Sequence, residues 1–198
     1  QALRFDGAND YVSVPQFQSN QALDFSVSVW FSVDNTAKAS NVIFANNAYF
    51  NGIMFQSWAG VLYLYIKSGS NNIRYTFPGY ANSTLYHAVI TKSYADSYSK
   101  LYINGIAVTV VNGTTAASID PRSAQPFLLG ASVGYGYLDG TGSDFRYYNR
   151  ALSPNEIRTL AQRPGIAYEL APRKFYSLPA AAASSRQYRL FRPSILRG

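Results

Sequence analysis

Leu101, Tyr102, Ile103, Asn104, Gly105, Ile106, Ala107 and Val108 read as two short strands folded back on each other. Aromatic and β-branched residues flank an Asn-Gly pair, and that pair accepts the positive φ angles of a two-residue type I′ turn. An antiparallel hairpin is therefore expected at this point. Working outward, period-two alternation recurs in short runs separated by Gly, Asn, Asp and Ser, the pattern of strands with one buried face. The runs cover 2–6, 10–14, 25–33, 41–45, 51–56, 61–67, 72–77, 85–93, 99–104, 106–111, 125–130 and 144–148. So many strands in one stretch, with a single helical segment, favour two packed antiparallel sheets over a parallel α/β sheet.

Composition agrees. Hydrophobic residues make up 47% of the 198 and charged residues 14%, with 17 Tyr and 12 Phe, a set dominated by strand formers. Apolar runs such as Val61 to Ile66 fall far short of the ~20 residues of a membrane-spanning helix. The absence of Cys removes disulfides, thiolate nucleophiles and cysteine metal sites together. The chain starts at Gln1 with neither Met nor a charged-plus-apolar leader, which fits a longer precursor.

The net charge of +7 is unevenly placed. Residues 1–162 carry ten Lys and Arg against nine acids, whereas 163–198 carry seven against Glu169 alone. Two regions follow, a near-neutral sandwich over 1–162 and a basic Pro-, Ala- and Arg-rich tail over 163–198. Between them, Ser153 caps a helix that opens on Pro154, and Glu156 completes a capping box before Ile157 and Leu160. That helix ends before Pro164.

Three separated motifs resemble laminin-G-like domains of the concanavalin A-like lectin and glucanase superfamily. The first is Leu3, Arg4, Phe5, Asp6, Gly7, Ala8, Asn9, Asp10, Tyr11 and Val12, followed by Phe25 to Phe31 around Trp30. The second is Leu85, Tyr86, His87, Ala88, Val89, Ile90 and Thr91, leading into the Asn104-Gly105 hairpin. The third is Leu138, Asp139 and Gly140, then Phe145 to Ile157. The fold implied is an all-β, two-sheet antiparallel jelly-roll sandwich with one short C-terminal helix and an extended basic tail. Leu85 stands where the family usually has Trp, and Gly142-Ser143 where it usually has Ile-Asp. Some relatives bind calcium through rim carboxylates, which makes Asp6, Asp10, Asp139 and Asp144 the candidate ligands. A hard cation takes roughly six to eight oxygens, so carbonyls or water would have to complete the shell. The competing reading makes Asp6, Asp10 and Asp139 turn residues bonding local backbone. No cofactor is otherwise implied.

Catalysis finds no constellation. Retaining glucanases need two carboxylates about 5–5.5 Å apart, and in those relatives they share one strand. Here Glu156 belongs to the helix and Glu169 to the tail. His87, the single histidine, falls within a strand, where a structural role is expected, and one histidine cannot build a zinc site. The chain is therefore read as a non-enzyme.

Binding remains. Sandwich folds recognise sugars with rim aromatics, and Trp58, Tyr80, Tyr135 and Tyr137 stand beside Gly-rich turns. In the tail, Arg173, Lys174, Phe175, Tyr176, Arg186, Tyr188, Arg189, Phe191 and Arg192 mix cations with aromatics as protein interfaces do. A protein anchor is favoured over nucleic acid, and Pro172, Pro179 and Pro193 argue against an amphipathic membrane helix. The partners expected are other chains of an assembly, copies of this one included, and a glycan. The run from Arg163 to Lys174 looks like the endings of laminin-G-like proteins encoded by bacteriophages. That likeness implies a decoration protein on a virion surface. A secreted extracellular adhesin module is the alternative.

Overall fold

A computed structural model describes residues 2–14, 24–46, 51–68, 71–93, 99–113, 126–132 and 134–165. The nine anchoring residues proposed in the tail lie outside them. The chain order is β1 (Leu3–Asp6), β2 (Val12–Val14), β3 (Phe25–Val33), β4 (Asn41–Ala45), β5 (Asn51–Trp58), β6 (Val61–Ser68), β7 (Asn71–Pro78) and β8 (Tyr86–Lys92). There follow β9 (Lys100–Ile103), β10 (Ile106–Val108), β11 (Val110–Gly113), β12 (Phe127–Leu129), β13 (Ala131–Ser132), β14 (Gly136–Tyr137), β15 (Asp139–Tyr148) and α1 (Pro154–Gln162). One sheet runs β1-β15-β3-β8-β9-β10 and the other β11-β7-β6-β5-β4-β12-β2, while β13 and β14 form a small separate ribbon. All the pairings are antiparallel, and the result is a jelly-roll sandwich.

Alternation decides which residues meet between the sheets. Val27, Val29, Phe31 and Val33 point inward from β3 and meet Ile53, Phe55, Leu62, Leu64 and Ile66 from the other sheet. Aromatic rings interlock at the centre: Phe31 meets Phe55 edge-on at 5.3 Å, and Phe44 packs on Phe127 at 5.5 Å. Burying each such side chain stabilises the fold by about 1.5–3 kcal/mol. The alternate residues of β3, Ser26, Ser28, Trp30 and Ser32, are also buried, on the outer face of their sheet. There Ile157 of α1 and Leu152, just before the helix, pack on Val89 and Tyr102. The Ser26 hydroxyl fixes the chain entering the helix, accepting from the Leu152 N–H at 2.9 Å and donating to the Arg150 carbonyl at 2.9 Å.

The helix is capped as its sequence predicts. Glu156 accepts from the Ser153 N–H at 2.9 Å, and the Ser153 hydroxyl in turn accepts from the Glu156 N–H. Two expectations change. The last strand starts at Asp139 rather than 144, because its glycine-rich first half still pairs with β1 and β3. The run 106–111 divides into β10 and β11, which join different sheets.

The turn between β9 and β10 has Asn104 at φ 51° and Gly105 at φ 79°, both in the left-handed region. A Cβ on Gly105 would also stand 3.3 Å from the Ala161 Cβ and the Arg158 Cα of α1. Gly105→Val therefore combines backbone strain with a clash against the helix, and its expected cost is about 1–3 kcal/mol. An unchanged melting temperature for this variant would contradict that turn geometry.

Candidate functional site

The site is built where β12, β2 and the β13–β14 ribbon meet. Phe127 and Leu129 of β12 face the core, so alternation turns Leu128 outward, and the register sets it opposite Ser13 of β2. Val12 and Val14 likewise pack inward, leaving Ser13 exposed and Tyr11, just before the strand, 55% exposed. The ribbon rises beside them. Its base is held by the Gly130 N–H donating to the Ile43 carbonyl at 2.9 Å and the Leu138 N–H donating to the Gly130 carbonyl at 2.8 Å. Buried Leu138 fastens the far end into the core.

The result is an open groove of about 660 Å³, lined by Tyr11, Ser13, Leu128, Ser132, Tyr135 and Tyr137 among others. None of the described residues lining it is charged. Tyr135 and Tyr137 are half-buried, so each ring is supported by the protein and still presents surface to the groove. Ser132 is 5% exposed, and its hydroxyl has no hydrogen-bond partner. A buried hydroxyl without a partner carries an unmet hydrogen-bonding demand at the groove wall. Aromatic surface beside hydroxyls is the chemistry that holds a polyol, with the rings against C–H faces and the hydroxyls for orientation.

The four candidate aromatics separate. Tyr135 and Tyr137 share the groove with Tyr11, Ser13 and Ser132, three residues that alternation along β2 or a search for orphan hydroxyls would single out. Trp58 is 46% exposed at the end of β5 but does not line the groove. Tyr80 is corrected: it is 6% exposed, packs edge-on to Tyr86 and hydrogen-bonds Ser57 through its hydroxyl. Its ring belongs to the core, because the turn after β7 directs it inward.

The four aspartates do not assemble. The Ala8 N–H donates to Asp6 Oδ1 at 2.8 Å and the Asp6 N–H to Asp10 Oδ2 at 3.1 Å, so both carboxylates stabilise the turn after β1. Asp139, the register partner of Asp6, accepts from Arg4. Asp144 stands five positions further along β15, roughly 17 Å at strand rise, and accepts from Arg146 Nε at 2.7 Å. Among the described residues no three His, Asp or Glu side chains form a group that could hold a metal ion.

His87 and Glu156 both make structural contacts. His87 Nε2 lies 2.9 Å from the Ser28 hydroxyl, but both residues are buried and the histidine Nδ1 has no partner, so no acid orients the ring. Burial lowers its pKa to about 4. Glu156 is held ionised, its pKa lowered to about 2 by Arg150 first and then by Ser153.

The comparisons with known proteins agree with this architecture. A family model described as concanavalin A-like lectin/glucanases superfamily, of laminin G type, matches residues 6–158. No curated protein sequence matches. Among solved structures, the receptor-binding domain of botulinum neurotoxin D is 17% identical with a TM-score of 0.65, covering 81% of this chain and 43% of its own. A botulinum neurotoxin type C that depends on two ganglioside molecules to enter cells gives 15%, 0.62, 80% and 42%. The binding domain of neurotoxin DC in complex with rat synaptotagmin II gives 15%, 0.61, 80% and 42%. The chain thus spans about two-fifths of the length of these structures, and at such identities the likeness is one of fold. With the family model covering most of the sandwich and the same two-sheet fold in its structural neighbours, the chain belongs to the laminin-G-like proteins of the concanavalin A-like lectin/glucanase superfamily.

Proposed function

We propose that the chain is a non-catalytic, lectin-like module that binds a glycan in the groove between Tyr11, Tyr135 and Tyr137. The observation that carries this reading is the groove itself, with supported aromatic rings and hydroxyls around one open cavity. That one neighbour of the same fold interacts with gangliosides and another forms a complex with rat synaptotagmin II supports binding as the work such a sandwich does. The basic tail, 163–198, serves as the attachment to other protein chains, copies of this one among them, on a larger assembly such as a virion surface. An extracellular adhesin would use the same groove without the assembly.

Glycan-array binding by the full chain, Tyr135→Ala, Tyr137→Ala and a chain lacking 163–198 tests both parts. Retention of at least one glycan by the full chain is expected, with affinity falling about tenfold or more in either tyrosine variant while the melting temperature holds. The truncated chain should keep the glycan and lose self-association. Equal binding by all the variants would remove the groove from the reading, and unchanged assembly after truncation would remove the tail.

A further inference from the structure

The two walls of the groove come from segments far apart in sequence, and one cation lies between their backbones. Lys38, in the loop between β3 and β4, donates from Nζ to the carbonyl of Gly7 at 2.8 Å and to the carbonyl of Tyr137 at 2.8 Å. Gly7 belongs to the turn that leads to Tyr11, on one wall. Tyr137 is itself part of the opposite wall. We infer that Lys38 is a positioning residue, a built-in cation whose ammonium holds the two walls of the groove at their binding separation.

The chemistry favours a lysine in this place. An ammonium carries three donors on a compact charge, so it serves two converging carbonyl oxygens and still has one N–H to spare. Charge-assisted bonds of this kind are roughly twice as strong as neutral ones. Without the cation the two carbonyl dipoles would face each other across a gap with no donor between them. The bonds at Gly130 and Leu138 secure the base of the ribbon, and the 3.2 Å bond from the Tyr135 N–H to the Ser132 carbonyl lies within the ribbon itself. Among the described residues, Lys38 joins the Tyr137 carbonyl itself to the turn after β1, two positions before the β1–β15 ladder takes over at the Asp6–Asp139 pair. This inference deepens the glycan reading and rests on it for its functional meaning, whereas the structural link can be measured without any glycan.

The test is amide hydrogen exchange by NMR on Lys38→Ala. The reporters are the Leu138 N–H, bonded to the Gly130 carbonyl, and the Asp139 N–H, bonded to Asn41 Oδ1 at 2.9 Å. Exchange at both should accelerate about tenfold or more, while the amides of Ala88 and Ile90 in β8 stay protected. Added propylammonium, which returns charge and donors together, should restore protection; tetramethylammonium, which returns charge alone, should not. Glycan retention should fall and recover in step. Unchanged protection at Leu138 and Asp139, or equal rescue by the two ions, overturns the inference. If the alanine variant does not fold, Lys38→Met keeps the stem without the charge and is read in the same way. A wild-type chain that retains no glycan refutes the glycan reading, while the exchange data still decide whether Lys38 holds the walls together.

Discussion

Gly140→Ala is expected to lower the free energy of unfolding by about 3 kcal/mol, at the upper end of overpacking costs. Gly140 sits near the start of β15, opposite Phe5 of β1 on one side and Val33 of β3 on the other. A Cβ placed there would be 2.1 Å from the Ser32 carbonyl oxygen, 3.0 Å from its carbon and 3.1 Å from the Val33 Cα. All three are main-chain atoms of a paired strand, so no rotamer change relieves the clash. Relief requires β15 to move away from β3, and that loosens the ladder joining the first and last strands to the centre of the sheet. Gly60→Ala supplies the comparison, because Gly60 has φ 80° but no atom within 4 Å of the added carbon. It should cost only the backbone term, about 1–2 kcal/mol. Urea denaturation of both variants makes the measurement; equal losses would mean that Ser32 and Gly140 are not in close approach.

The second large effect is a loss of stability in mild acid, traced to His87. The ring is buried on the outer face of its sheet, packed on Trp30 at 4.8 Å, with Nε2 engaged by Ser28 and Nδ1 without a partner. Protonation would place a charge in a desolvated site and leave one N–H with no acceptor. Burial is the main cause of the depressed pKa; Asp144 nearby opposes it and Arg146 adds to it. The sign follows from linkage. The unfolded chain takes up a proton near 6.5 and the folded chain only near 4, so the stabilisation is whole above pH 6.5. It is lost progressively as the pH falls from about 6.5 to about 4. The gap corresponds to roughly 3 kcal/mol. Melting temperatures across this window should fall steeply for the wild type and more gently for His87→Gln, which cannot titrate. Parallel curves would show that other groups govern the acid limb. Glu156, ionised down to about pH 2 in the folded chain and to 4.5 in the unfolded one, gives up its contribution between those values, so its loss begins as that of His87 ends.

The groove clarifies what the composition concealed. With 16% aromatic residues, a tyrosine beside a glycine is as readily a core residue as a contact residue. Tyr80 and Tyr137 both stand next to glycines, yet Tyr80 fills the interior and Tyr137 lines a cavity. The difference lies in what each following segment is fastened to. Buried Leu138 draws the end of the ribbon into the core and leaves Tyr137 on the side of the groove. The turn after Pro78 carries Tyr80 across the sandwich edge to Ser57.

Local chemistry alone determined most of the architecture. Alternation identified β3 and β4 to the residue, Asn104-Gly105 specified its turn, and Ser153 with Pro154 and Glu156 set the start of the helix, because each of these depends on neighbours within a few positions. Tertiary structure alone decided the site. Whether four aspartates converge, whether a tyrosine faces water, and whether Lys38 meets the carbonyls of Gly7 and Tyr137 depend on how distant strands are stacked and in what register. Alternation tells which face of a strand a residue occupies; only the closed sandwich tells what lies opposite that face.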